Sequence, residues 1–379
     1  MKSVLFYSDA IDYGGHEAMT AEAAACLCRD PKLSLSFAFY LGNKKLHEKL
    51  KSIRCSAGNL AIFPLPFKPK SLPAVRSLIS WRQTRHIQRL MKRINPDVVV
   101  ISHGRIEGSS TGLLAAKRSG FRTISYLPMA HTVAMSGRPF AVWIREMIDS
   151  YFYRLPDKFI TISESARHML QERGATSNVV VVRNAVEVQP IAESDRMQFR
   201  NAHGIGTDQY AVAIIGRIHF RQKGQDFALK TIDSFRDKLR DYRFVFIGDG
   251  PDAERFRAMV AKFNLTREVK LVPWTQNPTQ IYAGVDMLLI PSRFEGVPLV
   301  MLEAMAYRLP IVATNVDGMA DFLPPDWLFP FGNGAALIDT LLRVRESDNS
   351  HILELHRNQV ISEFSPQKFS TDFSSAICG

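Results

Sequence analysis

Short apolar runs alternate with amphipathic stretches along the whole chain, and that alternation predicts a parallel α/β protein. In the first half the runs are SVLFY, LSLSFAFY, LAIFPL, DVVVIS, RTISYL, KFITIS and NVVVV. Most are rich in Val, Ile, Phe or Tyr and shorter than a helix needs, so they read as strands, several of them buried on both faces. Between them, EAMTAEAAACLCR and VRSLISWRQTRHIQRLMKR carry helical patterns. Strands alternating with helices build parallel sheets covered on both sides.

The alternation pauses at RNAVEVQPIAESDRMQFRNAHGIGTDQ, which is polar and reads as a linker with a short helix. It resumes with YAVAIIG, YRFVFIG, EVKLVPW, DMLLIPS and LPIVAT. A chain of 379 residues is too long for one ordinary core and suits two domains. Two open sheets in series place ligands between them, at the carboxyl ends of the strands.

Composition narrows the class. No apolar run reaches the roughly 20 residues that cross a bilayer, and the opening MKSVLFYSDAIDYGG lacks a signal-peptide pattern. The cysteines, Cys26, Cys28, Cys55 and Cys378, form no CxxC pair, which predicts free thiols in a reducing cytosol and no metal site. The net charge of +11 is uneven. Residues 1–190 hold 27 Lys/Arg against 14 Asp/Glu, and residues 191–379 hold 21 against 23. A basic half beside a near-neutral half points to an anionic partner for the first half: a membrane surface, a nucleic acid or an acidic glycan. A solvated basic surface is the plainer alternative.

Three stretches could carry chemistry. In YSDAIDYGGHEAM a strand ends, Gly14 and Gly15 follow, and a helix opens near His16 and Glu17. Paired glycines let backbone N–H groups approach a ligand, though a tight turn would use them too. In IIGRIHFRQKGQDFALK a strand ends at Gly216, and Arg217, His219, Arg221 and Lys223 precede the helix that begins around Gly224. Two cations there could clamp a diphosphate, and the residues do not fix which two. In RFEGVPLVMLEAMAYRLPIVAT, Glu295 lies just before a Pro298-led helix and Glu303 lies about one and a half turns inside it. The N–H groups of about Val297 to Val300 point out of that helix end, with a carboxylate on either side to accept hydrogen bonds from hydroxyls.

The run PSRFEGVPLVMLEAMAYRLPIVATNVDGMADFL closely resembles the signature of the retaining GT-B glycosyltransferases of family GT4. YGGHEAM is similar to that family's first glycine loop, ITISESARHML…VVVVRNAVE to its stretch at the end of the first domain, and IIGRIHFRQKGQDFAL to its diphosphate loop. FVFIGDGPDAERF and EFSPQKFSTDF complete the order, the latter resembling the helix that returns to the first domain. The resemblance implies two Rossmann-like parallel-sheet domains facing each other across a cleft. It implies an acceptor-binding domain over residues 1–187, completed by 364–379, and a nucleotide-sugar domain over 188–363. It also implies transfer of a sugar from a nucleotide diphosphate donor to a glycan or lipid-linked acceptor with retention, without a metal or other cofactor, as in cell-envelope or polysaccharide synthesis.

Residue by residue, the resemblance gives Glu295 the hydroxyls of the transferred sugar and Glu303 the ribose. Arg217 and Lys223 neutralise the diphosphate, with Gly216 beside them, and Gly15 lets the first domain approach it. Gly296, Val297, Pro298, Leu299 and Val300 line the donor. His131, in SYLPMAHTVAM, stands where the family has a histidine near the donor sugar, and His103, in ISHGR, is its rival. Tyr307 and Arg308 depart from the pattern by replacing the usual glycine region after EAMA, which predicts a changed helix end. Val297 and Pro298 replace a common aromatic–glycine pair. Asp249 and Asp252, in GDGPDAE, read as a strand-to-helix turn. The segment around Trp81 is basic and could lie on an anionic membrane, which would make a cytoplasmic protein peripheral to the inner face of the cytoplasmic membrane. Two other functions compete: a nucleotide-sugar epimerase or hydrolase of the same fold, and a nucleic-acid binder, which the lack of an aromatic-interleaved basic motif disfavours.

Overall fold

The computed structural model describes residues 1–55, 58–69, 73–130, 142–274 and 278–379. The strands are β1 (Lys2–Ser8), β2 (Leu33–Tyr40), β3 (Arg54–Cys55), β4 (Gly58–Asn59), β5 (Ala61–Leu65), β6 (Val98–Ser102), β7 (Arg122–Tyr126), β8 (Lys158–Thr161) and β9 (Asn178–Val181). They continue as β10 (Tyr210–Ile215), β11 (Tyr242–Ile247), β12 (Val269–Val272), β13 (Met287–Ile290), β14 (Ile311–Thr314) and β15 (Leu328–Phe329). The chain divides into two compact units, Met1–Ala185 with Pro366–Gly379, and Val186–Ser365. The sequence reading put the same divisions at 187/188 and 363/364.

The first unit is built on a parallel sheet of order β5-β2-β1-β6-β7-β8-β9. Its middle strands are apolar at consecutive positions because helices cover both faces, and Val98 to Ile101 are fully buried. Phe6 of β1 pairs with Phe37 of β2, and their rings stack with centroids 5.6 Å apart. The helix Pro366–Cys378 belongs to this unit because its spacing suits one face: Phe369, Phe373 and Ile377 recur every four residues and are all buried. Phe373 lies 6.3 Å from Phe6 and 5.3 Å from Tyr126, ring to ring. Lys2 Nζ donates to the Ile377 carbonyl at 3.1 Å.

The second unit carries a parallel sheet of order β12-β11-β10-β13-β14-β15. The polar linker holds the expected short helix, Glu193–His203. All twelve strands expected from the apolar runs are present. The β3–β4 pair and β15 were not expected, being two residues each and too short to show a period.

Two expectations are corrected. Cys28 ends the helix Gly15–Cys28 and lies against β3, where it forms a disulfide with Cys55, so only Cys26 and Cys378 are free thiols. The helical pattern VRSLISWRQTRHIQRLMKR is two helices, Pro73–Ile79 and Trp81–Ile94, because Ser80 (φ −82°, ψ 58°) leaves helical geometry between them. Among the described residues, no helix is long and apolar enough to cross a membrane.

Candidate functional site

In the second sheet, β10, β11 and β12 step outward in one direction, and β13, β14 and β15 in the other. The order therefore reverses between β10 and β13, which are adjacent and parallel. Segments leaving two such strands part to opposite faces and open a crevice at their carboxyl ends. The two stretches singled out in the sequence are the segments that follow β10 and β13.

They are clipped together. After β10, a one-turn helix Phe220–Lys223 ends at Gly224, whose φ is +65°. A side chain there is excluded twice, since a Cβ would stand 1.9 Å from the Pro291 carbonyl oxygen beyond β13. From the other side, Arg293 N donates to the Gln222 carbonyl at 2.7 Å. The Arg293 guanidinium donates to both carboxylate oxygens of Asp226, at 3.0 and 3.1 Å, and stacks over Phe331.

This packing brings Lys223 to Glu295: the lysine Nζ donates to Oε1 of the glutamate. Ser292 Oγ donates to the same oxygen at 2.8 Å, and Thr314 Oγ1 in turn donates to the Ser292 carbonyl at 2.6 Å. The Glu295 side chain is 7% exposed and that of Lys223 is 20% exposed. Beneath the lysine lies Gly216 (φ +143°), and a Cβ on it would sit 3.8 Å from Lys223 Nζ. Of the four cations left open by the sequence, Lys223 is joined to Glu295. Arg217 follows Gly216 directly, is exposed, and runs alongside Gly250. Arg221 is exposed on the short helix, and burial lowers the His219 pKa.

Glu303 has its own partners. It lies in the helix Leu299–Ala306, and its Oε2 accepts the phenolic proton of Tyr282. Burial raises the Glu303 pKa, and the Tyr282 hydrogen bond opposes that rise. Tyr282 stacks on Tyr307 with centroids 5.1 Å apart. Pro298 caps this helix rather than entering it, and its carbonyl accepts from Met301 N and Leu302 N at 3.1 and 3.3 Å. The N–H groups of Leu299 and Val300 precede those first helical donors. Gly296 is packed so closely against Gly318 that a Cβ on Gly318 would stand 2.5 Å from its carbonyl oxygen, while Val297 and Pro298 are buried. At the far end, Arg308 takes the left-handed conformation (φ +55°) that glycine would otherwise supply. Asp249 and Asp252 form the expected turn, with Asp252 Oδ2 accepting from Phe220 N at 2.9 Å.

The first sheet reverses its order between β1 and β6. Beyond β1, Asp9 Oδ1 accepts from Ser109 N at 2.8 Å and Ser109 Oγ at 3.2 Å, and burial pushes its pKa up to about 6. Gly15 opens the helix and Gly14 caps it, with Glu17 accepting from Gly14 N at 2.8 Å. His16 Nε2 lies 2.9 Å from Ser102 Oγ, which is 2.8 Å from Thr20 Oγ1. Burial lowers the His16 pKa to about 3. His103 is wholly buried, with Nδ1 bonded to the Gly108 carbonyl and Nε2 to Ser125 Oγ at 3.0 Å, so neither ring nitrogen is offered to a ligand. His131 lies outside the described residues. The sequence reading missed Ser292, Tyr282, Arg293 and Asp9. Ser292 and Arg293 stood within three residues of Glu295, whereas nothing in the sequence joins Tyr282 to Glu303, 21 residues on.

Residues 209–347 match the family described as Glycosyl transferases group 1, and residues 42–190 match Glycosyltransferase Family 4. An uncharacterised glycosyltransferase of Haemophilus influenzae is 24% identical over 317 residues, 83% of this chain and 81% of that protein. The lipopolysaccharide 1,6-galactosyltransferase of Escherichia coli is 27% identical over 222 residues, 56% of this chain and 59% of that enzyme. Among solved structures, Anabaena HepE in complex with UDP-glucose superposes with a TM-score of 0.79 over 100% of both chains at 14% identity, a likeness of fold.

Proposed function

This chain is a glycosyltransferase of group 1 and family 4, and from that premise we propose that it moves a sugar from a nucleotide diphosphate donor to a glycan or lipid-linked acceptor, with retention, in cell-envelope or polysaccharide synthesis. The observation that carries the reading is the Lys223–Glu295 pair above Gly216, at the reversal point between β10 and β13. A cation and a carboxylate side by side suit a sugar diphosphate: the ammonium takes phosphate charge and the carboxylate takes sugar hydroxyls. Arg217 adds a second cation to the same segment. The N–H groups of Leu299 and Val300 offer the phosphates a helix end. Glu303, held by Tyr282, accepts from the ribose.

In this reading no side chain attacks the sugar. The departing phosphate takes the acceptor's proton on the face it leaves, and the protein contributes position and charge stabilisation. The acceptor belongs to the first unit, where Asp9, Tyr7, Tyr40, Lys68 and Arg76 line one pocket. The named relatives support a saccharide acceptor of the envelope, since one is a lipopolysaccharide galactosyltransferase, and HepE was solved with UDP-glucose.

The test is calorimetric titration of UDP, GDP and ADP, and of their sugars, into the wild-type chain and Lys223→Ala. One diphosphate should bind the wild type and bind Lys223→Ala at least about tenfold more weakly. Failure of all three to bind would overturn the donor site. Consumption of a bound sugar nucleotide without any acceptor would mark an epimerase or hydrolase instead. Steeply salt-dependent binding of DNA or RNA, with no nucleotide-sugar binding, would mark a nucleic-acid binder.

A further inference from the structure

The helix Val142–Tyr153 in the first unit buries Phe152 and Tyr153 in the core and leaves a second apolar face outside. Trp143, Met147 and Tyr151, four residues apart on one face, are 71%, 61% and 47% exposed. Arg145 and Asp149, on the other face, are buried, with Arg145 paired to Glu107 at 2.7 Å. A helix that serves only its own core does not keep three large apolar side chains exposed along one face. Beside it, the helix Pro73–Ile79 packs against both this helix and Trp81–Ile94, and Ile79 and Trp81 at the junction are 73% and 56% exposed.

The helix Trp81–Ile94 supplies the charge. It buries Thr84, Ile87, Leu90 and Met91, and turns Arg82, Arg85, Arg89, Lys92 and Arg93 outward. The guanidinium groups of Arg82 and Arg85 lie 5.3 and 5.1 Å from the Trp81 ring centroid. From residue 49 to residue 96 the chain holds eleven Lys/Arg and no Asp/Glu. Among the described residues, no carboxylate lies within ion-pair distance of Arg82, Arg85 or Arg89.

We infer that these adjoining helices form one docking face for an anionic lipid bilayer, with Trp143, Met147, Tyr151 and Ile79 entering the interface and the arginines meeting the headgroups. The charge decides the occupant, since two copies of a face this basic would repel each other. Exposed tryptophan and tyrosine flanked by arginine and lysine is the combination that the bilayer interface favours. The inference goes beyond the donor-site reading and uses none of its residues.

The test is co-sedimentation of the full chain with vesicles of phosphatidylcholine alone and with phosphatidylglycerol added. Binding should require phosphatidylglycerol and fall at high salt. Arg82→Glu/Arg85→Glu/Arg89→Glu should lower the partition coefficient at least about 100-fold. Trp143→Glu/Met147→Glu should also release the protein, with its melting curve unchanged because both side chains are already in water. Trp143 emission, isolated by comparison with Trp143→Phe, should shift to the blue on binding and be quenched by brominated acyl chains. Binding indifferent to lipid charge, or unaffected by Trp143→Glu/Met147→Glu, would overturn the inference. So would a wild-type dimer in sedimentation equilibrium that the same substitution makes monomeric. None of these readouts involves sugar transfer, so this surface and the donor site can fail separately.

Discussion

Lys223 and Glu295, 72 residues apart, share one ion pair over the point where the second sheet reverses its strand order. Neither residue is explained by its own segment. Each is aimed by the close approach of Gly224 to Pro291, which lets the two segments touch. The pair therefore has two consequences that substitutions can separate.

Lys223→Ala removes the cation beside a nearly inaccessible carboxylate, so it should destabilise the second unit by about 3 kcal/mol. Glu295→Ala should cost less, because the more exposed lysine can rehydrate. In binding the order reverses: nucleotide diphosphate should weaken at least about tenfold in Lys223→Ala and bind undiminished to Glu295→Ala, whose defect should appear in kcat. Denaturant titration, calorimetry and steady-state kinetics on both variants check this. Loss of free nucleotide binding in Glu295→Ala alone would exchange the assigned roles.

Glu303 ties donor affinity to pH. Burial raises its pKa, and the Tyr282 hydroxyl holds that rise in check. An ionised carboxylate accepts ribose hydrogen bonds, so nucleotide affinity should fall as pH falls through this raised pKa. Tyr282→Phe should move the fall to higher pH. Glu303→Ala should weaken free nucleotide diphosphate by roughly 1.5–3 kcal/mol and raise the donor KM. The check is nucleotide Kd against pH in the three proteins.

Arg308 occupies a left-handed position at a helix end, which costs a non-glycine residue roughly 1 kcal/mol. Its ion pair with Glu354 is half-exposed and returns little. Arg308→Gly should raise the stability of the second unit by about 0.5–1 kcal/mol, and Arg308→Ala should not. Unfolding midpoints of the two variants decide it, and equal midpoints would refute the strain.

His103 is buried and neutral, with its pKa lowered to about 4. Between pH 6.5 and about 4 the unfolded chain binds a proton at this residue that the folded chain does not, so its contribution to stability declines as pH falls. The destabilisation caused by His103→Asn should therefore shrink by about 1.4 kcal/mol per pH unit across that window. Urea unfolding of wild type and variant at pH 7, 6 and 5 measures the difference, in which groups common to both cancel. A constant difference would show that His103 keeps its ordinary pKa.

Most of the fold was legible because parallel strands buried on both faces read as plain apolar runs. The twelve longer strands and the pause between the domains follow from that alone. The disulfide was not legible, since Cys28 meets Cys55 only after β3 packs on the helix end. Nor was the break at Ser80, where the hydrophobic period runs on and only the backbone departs. At the site, single-segment features were readable: Gly216, Lys223, Glu295 and the helix opened by Pro298. What escaped were partners across segments, such as Tyr282 for Glu303, because no local spacing records a hydrogen bond between two helices. The choice between His131 and its rival His103 was not legible for the opposite reason. A histidine at a strand end satisfied by Ser125 and Gly108 has the same sequence as one facing a substrate.

The helix Pro366–Cys378 also governs the order in which the molecule can be made. The ribosome releases residues 1–185 long before the segment whose Phe373 seats on Phe6 and Tyr126. The nascent first unit must wait with that apolar seat uncovered while 180 further residues, Val186–Ser365, emerge and fold. The first unit is thus completed only after the second has been made. A chain that stopped anywhere in the second unit would lack Phe373 and leave its apolar seat on Phe6 and Tyr126 uncovered.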